Sequence, residues 1–342
     1  MKRIMTWMLP AVAALGVVSG CSSTGTSASG ASTVGGSQPA AAVEGGTMLA
    51  GGVDGSDAPS DGAGVGGGTP RLPSPAGGDG ASSPFAAGAA EVVRTAVPVA
   101  DYHTLFTQAV TAKYRPVWLD GFDVGAAAYF NVVFHPDTGS TTWFEYTEMS
   151  AGGYQNRFDT LKGQGFQLTF VESYLNNGQV RYAAIWEKSA SAVSAAFHGY
   201  SAAAYQSMLD SQTAAGYVPA QVSVVSVGGA LSYSGLLVKR SLGASWRLKS
   251  TLTDSEYQTL FNETTKAGLG LAYVNAYTVN GSPRFVALFA GSASAPSTAR
   301  HGLTITAFTS QTATLAKDGY ATQAVSGYAV NGSTLLIAYW SK

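Results

Sequence analysis

The chain has one cysteine in 342 residues, Cys21. No intrachain disulfide can form, so the fold has to stand on its hydrophobic core. Charge is sparse as well: Asp, Glu, Lys and Arg make up 11% of the chain, and the formal net charge is −1. Removal of a leader carrying Lys2 and Arg3 leaves −3. Neither value supplies a basic surface, which removes the electrostatic case for nucleic acid or anionic lipid headgroups. The only long apolar run, about Ile4 to Val18, is too short for a good transmembrane helix. No calcium loop, phosphate loop or dinucleotide fingerprint occurs. Large apolar residues are nearly missing from Ser22 to about Ala90, where the chain is Gly, Ser, Ala, Thr and Pro. Such a segment cannot bury enough surface to offset its ordering entropy, so disorder is expected from 21 to 89.

What is present begins at the N-terminus. Met1-Lys2-Arg3, the apolar run and Val18-Ser19-Gly20-Cys21 have the order of a secretory leader. Small residues directly before the lone cysteine describe a lipoprotein signal over 1–20, with Cys21 as the lipidated residue. Ser22 and Ser23 follow with no Asp beside the cysteine, which directs the expectation to the outer membrane. The Gly-rich segment then acts as a tether, with a root-mean-square reach of about 45 Å for roughly 70 residues.

From about Ala90 the sequence is periodic. Aromatics at Tyr102, Tyr154, Tyr205, Tyr257 and Phe308 are spaced 52, 51, 52 and 51 residues apart. Twenty-three residues after each mark lies a turn pair: Gly125-Ala126, Asn177-Gly178, Gly228-Gly229, Asn280-Gly281 and Asn331-Gly332. Thirty-two residues after each lies a large apolar side chain: Phe134, Trp186, Leu237, Phe289 and Trp340. Five copies are expected, near 102–153, 154–204, 205–256, 257–307 and 308–342.

Each copy opens on a helix. Ser150, Ser201, Thr253 and Thr304 stand four residues before four of the marks, where a hydroxyl caps an N-terminal N–H, and Thr253 with Glu256 forms a capping box. Met149, Tyr200, Leu252 and Leu303 precede the caps, so each mark has the spacing of a hydrophobic staple. Gly165, Gly216, Gly268 and Gly319 suit the left-handed helix end, whereas unit one has Lys113 and should end less tidily. Two strands around the turn follow, then a short third strand such as 141–147. The fold class is α+β, five tandem αβββ-type repeats stacked because one unit cannot bury its apolar face alone.

"YRPVWLDGFDV" (114–124), "RYAAIWEK" (181–188) and "HGLT" (301–304) resemble the bacterial tandem repeat domain family. Similar arrays stand beside a β-lactamase-like serine hydrolase domain in polyglycine-hydrolase-like proteases. Unit three departs from the pattern, with Val225 where other units carry Tyr or Phe. The Ser-x-x-Lys nucleophile motif of such a hydrolase is absent from this chain.

Candidate chemistry is thin, and no catalytic, cofactor or metal site is assigned. His198 and His301 share one unit position, each before a glycine, as ligand or acid–base residues or as histidines satisfied by local backbone. No His, Cys or carboxylate cluster has zinc spacing. Asp120, Asp123 and Glu172 fall on the first hairpin strands and read as solvated. Trp118, Trp186 and Trp340 read as core; Trp143 and Trp246, 41 residues after their marks, are the candidates for exposed contact. The expected function is a lipid-anchored, non-enzymatic binding or scaffold domain of the cell envelope, its partner an envelope protein or glycan. The alternative is an envelope hydrolase, or an accessory subunit of a cell-wall or peptide hydrolase. The two readings separate on whether His198, His301, Asp120 and Glu172 share a pocket.

Unit five stops too early for a third strand, and 90–96 has no unit of its own. The sequence therefore predicts closure into a ring by pairing of 90–96 with 333–340, placing Val93 beside Ile337, against the rival of an open solenoid.

Overall fold

The computed structural model describes residues 47–49, 62–64, 85, 88–188, 194–239, 245–292 and 296–342. The leader, Cys21 and most of the tether lie outside the described residues. Two short strands come first, β1 (Thr47–Leu49) and β2 (Gly62–Gly64). Unit one is β3 (Val92–Pro98), α1 (Val99–Thr111), β4 (Tyr114–Val124) and β5 (Ala127–Pro136). Unit two is β6 (Trp143–Met149), α2 (Ala151–Gly163), β7 (Gln167–Asn176) and β8 (Gln179–Glu187). Unit three is β9 (Ser194–Ser201), α3 (Ala202–Ala214), β10 (Tyr217–Val227) and β11 (Ala230–Lys239). Unit four is β12 (Trp246–Leu252), α4 (Asp254–Lys266), β13 (Leu269–Val279) and β14 (Ser282–Ser292). Unit five is β15 (Ser297–Leu303), α5 (Ile305–Lys317), β16 (Ala321–Val330) and β17 (Ser333–Ser341).

Local chemistry sets these boundaries. Ser150, Ser201, Thr253 and Thr304 accept from the backbone N–H of Gly153, Ala204, Glu256 and Ala307, and the Thr253–Glu256 capping box is complete. Helix α1 follows Pro98 with no side-chain cap. At the other end Lys113 adopts the same left-handed conformation as the glycines, at φ 62°, and its N–H reaches the Val110 carbonyl at 3.1 Å. The end expected to be untidy is therefore regular, with a lysine carrying the left-handed cost. In four turns both central residues have positive φ, as a type I′ turn requires; in unit one only Gly125 does.

Four of the mark aromatics pin their helix to their own sheet through a ring 28 residues on, and Phe308 stacks on Trp340 at 5.8 Å. Tyr102 packs on Phe130 at 4.9 Å, Tyr154 on Tyr182 at 5.2 Å, Tyr205 on Tyr233 at 4.4 Å and Tyr257 on Phe285 at 5.5 Å between centroids. The middle strand carries these partners, 0–3% exposed, together with Phe134, Trp186, Leu237, Phe289 and Trp340, 0–1% exposed. A strand covered on both faces reads as a continuous apolar run, which is why no alternation shows there.

Strand pairing corrects the expected unit. In every unit the strand before the helix joins the hairpin after it, giving antiparallel sheets ordered β3-β5-β4 and likewise through β15-β17-β16. The unit is strand–helix–strand–strand, so 141–147 belongs to the next unit rather than ending its own. Val93 pairs with Val133, not with Ile337, and the predicted exchange of strands between the chain ends does not occur. Val92 and Val93 have a partner within their own unit, at lower loop-closure cost.

The array nevertheless closes. The strands after the helices, β4, β7, β10, β13 and β16, pack side by side in that order, and β16 packs on β4. At this seam the Trp118 indole N–H donates to the Val325 carbonyl at 2.8 Å. The Glu91 carboxylate accepts from the Thr322 backbone N–H and hydroxyl, each at 2.9 Å. The outer edges of two sheets are extended by the tether: β1 runs parallel to β9 and β2 antiparallel to β6. At those six residues the tether is ordered, covering edges that would otherwise stay open.

Neighbouring inner strands interlock by size. Gly121 lies under the ring of Tyr174 and Gly327 under that of Phe122, so an added Cβ would stand 2.6 Å and 2.4 Å from ring carbons. Gly327→Ala is expected to destabilise the fold by about 1–3 kcal/mol through overpacking. Phe122→Val in the same chain should recover most of that loss. Denaturant titration of the two single variants and the double variant measures this; a neutral Gly327→Ala would contradict the interlock.

Candidate functional site

Each inner strand is irregular at one shared place in its unit, and β13 also between Leu269 and Gly270. The register slips between Pro116 and Trp118, Leu168 and Phe170, Pro219 and Gln221, Leu271 and Tyr273, and Thr322 and Ala324. A bulge re-aims the side chain after it. Trp118, Phe170 and Tyr273 meet there, with ring centroids 5.2 Å and 5.5 Å from Trp118, in one core spanning units one, two and four.

Two residues further along stand Asp120, Glu172, Ser223, Asn275 and Ser326, one from each unit, all 0–1% exposed. The short side chains latch neighbouring units. Ser223 Oγ accepts the Ser173 N–H at 2.9 Å, Ser326 Oγ accepts the Ala276 N–H at 2.8 Å, and Asp120 Oδ2 accepts the Gly327 N–H at 2.8 Å across the closing seam. Longer side chains reach between units. Asn275 Nδ2 donates toward Glu172 Oε1 at 3.1 Å, Asp120 Oδ1 at 3.3 Å and Ser326 Oγ at 3.4 Å. Ser223 Oγ donates to Glu172 Oε1 at 2.8 Å, and Asn131 Nδ2 to Asp120 Oδ2 at 2.8 Å.

The sequence predicts solvated carboxylates at Asp120 and Glu172; instead both are closed inside the ring. Burial pushes the Asp120 carboxyl up to about 7, against the hydrogen bonds that favour its charge. Glu172 is driven well above the usual carboxylate range by burial first and then by the charge of Asp120. Glu172 Oε2, Asn275 Oδ1 and the Tyr273 hydroxyl are buried without a hydrogen-bond partner. Leaving such an atom unsatisfied costs about 1–3 kcal/mol. The signal for this ring was in the sequence: five polar residues at one unit position, each amid apolar strand residues.

Beyond the ring the hairpins open into a cavity of about 230 Å³. Its floor includes Gly121, Ser173, Val224, Ala276 and Gly327, and its wall carries Asp123, Ser226, Thr278, Asn280 and Tyr277. Asp123 is half-buried at this funnel, and desolvation raises its carboxyl.

The other candidates lie elsewhere. His198 and His301 occupy the bulge of an outer strand, before left-handed Gly199 and Gly302. His198 lies edge-on to Tyr154 and Tyr182, and its burial lowers it to about 4, keeping the ring neutral. His301 lies edge-on to Tyr257 and bonds Asp254 at 2.9 Å. Both histidines thus cover the mark aromatic of the preceding unit and share no pocket with Asp120 and Glu172. Trp143, proposed as an exposed contact, is 5% exposed: it packs against Phe106 and donates to Asp137. Trp246 is half-buried against the core.

Position 225 also finds its reason. The Tyr174 and Tyr328 hydroxyls accept the N–H of the left-handed bulge residues Glu148 and Gly302. Units one and three lack that tyrosine, having Phe122 and Val225. There Asn131 Oδ1 accepts from Ala96 at 3.0 Å and Ser234 Oγ from Gly199 at 3.4 Å.

Five strand–helix–hairpin units around a polar axis define a closed tandem-repeat protein. The profile of the polyglycine hydrolase-like structural repeat matches residues 88–137, 140–189, 192–240, 243–291 and 294–342. This chain belongs to that family, and each matched segment begins before the strand that precedes the helix, in agreement with the pairing. No curated protein matches the chain.

Glu145 offers a clean test of the buried acids. It is 1% exposed, accepts from the Tyr102 hydroxyl at 2.9 Å, and burial raises it to about 8. The folded state therefore keeps a proton that the unfolded chain loses near the ordinary glutamate value of 4.5. The stability it contributes is present below that value and is lost as pH rises toward 8, at a limiting slope of about 1.4 kcal/mol per unit. His198 acts oppositely, losing stability as pH falls from 6.5 toward 4. Denaturation of wild type and Glu145→Gln from pH 5 to pH 8 isolates the glutamate. The wild-type advantage should shrink with rising pH; a constant difference would contradict the assignment.

Proposed function

We propose that the chain is a non-enzymatic binding domain of the cell envelope, anchored by lipid on Cys21, that takes an envelope protein or glycan at its axial funnel. The observation that carries this reading is the convergence of five hairpins on one cavity walled by backbone, hydroxyl and amide groups. Such a wall suits a polar ligand, and repeat arrays commonly present a composite surface of this kind. The leader and the lone cysteine support the anchor. Among the described residues no helix is long and apolar enough to cross a membrane.

The family name supports the alternative of an accessory subunit to a peptide hydrolase, since it links the repeat to hydrolases of polyglycine. Hydrolysis by this chain itself has less support. Asp120 and Glu172 do come together, but beneath the funnel floor and engaged with neighbouring units, far in role from an accessible acid–base pair.

Two measurements test the proposal. Cys21→Ser should move the protein from the membrane fraction to the soluble fraction and abolish incorporation of labelled fatty acid; full retention with no label in wild type would contradict the anchor. A photo-crosslinking residue at Thr278, in the funnel, should capture one dominant envelope component, whereas the same probe at exposed Gln258 on α4 should not. Equal capture at both positions would contradict a funnel site.

A further inference from the structure

We propose that the axial ring is a calcium site, built from the Asp120 and Glu172 carboxylates, the Asn275 side-chain carbonyl and the Ser223 and Ser326 hydroxyls.

The hydrogen bonding at the axis is lopsided in a way a cation would correct. Asn275 Nδ2 has two hydrogens but faces three acceptors, on Glu172, Asp120 and Ser326, at 3.1–3.4 Å. The oxygen of the same amide, Oδ1, has no partner, and neither has Glu172 Oε2; both residues are 1% exposed. The nitrogen thus stands where acceptors crowd, and the acceptor of the amide goes unused. Turning the amide over brings Oδ1 among those oxygens, so that five oxygen-bearing side chains face one another with no positive charge between them. The Tyr273 hydroxyl, also buried and unpartnered, lies close enough to both carboxylates to feel their charge. Among the described residues no Lys or Arg forms an ion pair with Asp120 or Glu172. A divalent ion would balance the two carboxylates and satisfy the unused oxygens together.

The donor chemistry selects the ion. All donors are oxygens, two of them carboxylates and the rest neutral. Among the described residues no three His, Cys, Asp or Glu converge, as a zinc or redox-metal site would require. Calcium accepts irregular sets of six to eight oxygens, whereas magnesium demands octahedral geometry and keeps several waters, for which a closed ring leaves little space. The floor of the funnel lies one residue beyond the ring, at Gly121, Ser173, Val224, Ala276 and Gly327. This floor is where the ring comes nearest to the cavity. One ion on the axis would be held by all five units, joining array closure to metal occupancy.

The experiment uses the whole chain. After chelation and exchange into metal-free buffer, terbium is added and emission is read on excitation of Tyr and Trp. Tyr273 beside the ring and Trp118 against Tyr273 should sensitise bound terbium, and calcium should displace it with saturation at one ion per chain. Melting temperature should rise by about 5–10 °C at free calcium a hundredfold above Kd. Glu172→Gln, a near-isosteric change, should lose the calcium-dependent shift while still melting cooperatively. If that variant does not fold, wild-type terbium titration and metal analysis decide alone. Absence of sensitised emission, or a melting temperature indifferent to calcium and chelator, overturns the site and leaves a proton or water as the axial occupant. An undiminished calcium shift in Glu172→Gln places the ion elsewhere and equally overturns it.

Discussion

Everything in this fold hangs on how one unit's inner strand satisfies the next without a continuous ladder between them. The sheets are separate blocks of three strands, two of them extended to four at the outer edge by the tether, so the inward edge of each hairpin meets its neighbour through side chains. The residue eighteen after the mark answers this need: Ser223, Ser326 and Asp120 each accept the following backbone N–H of the unit before. A buried N–H left alone would cost more than the net gain of a typical hydrogen bond, so a polar residue is required in the middle of an apolar strand. The same latch that joins units two to three and four to five also joins five to one. Closure is therefore the ordinary contact between units, made once more.

That requirement concentrates polarity where water is excluded. Aromatic side chains meet below the ring, and glycines admit Tyr174 and Phe122 beside it. Two acids in such a place cannot both stay charged without compensation, and the pair divides into one carboxyl near neutrality and one well above. Removing one partner of a buried group costs more than the pair contributes, so these positions tolerate little change even if nothing binds there. Fold and function are coupled at the axis: whatever occupies it touches every unit.

Much of this was legible in the sequence, because the repeat supplied five readings of one pattern. Period, helix caps, turns and apolar marks follow from spacing alone, and all reappear in the structure. Where sequence and structure differ, the causes are physical. The strand before each helix pairs with the hairpin after it, and the sequence carries no sign of which hairpin it will choose; hence the misplaced unit boundary and the failed pairing of Val93. Carboxylates in strands are usually solvated, and the sequence alone predicts this for Asp120 and Glu172. Only the column of Asp120, Glu172, Ser223, Asn275 and Ser326, compared across units, would have argued otherwise. Trp143 misled for a related reason: its place in the array is regular, but residues of the preceding unit, Phe106 and Asp137, cover it. The role of Val225 was illegible, since its compensation by Ser234 depends on two strands meeting at a bulge.

Ring closure is the claim on which latch, funnel and axis all rest, and distances between spin labels test it directly. In a chain carrying Cys21→Ser, Val330→Cys is combined in turn with Val279→Cys, Val227→Cys and Val124→Cys, at equivalent places in units four, three and one. A closed ring predicts that the distance from unit five to unit one matches that from five to four, and that five to three is longer. If the distance from unit five to unit one is instead the longest of the three, the array is open and the account fails.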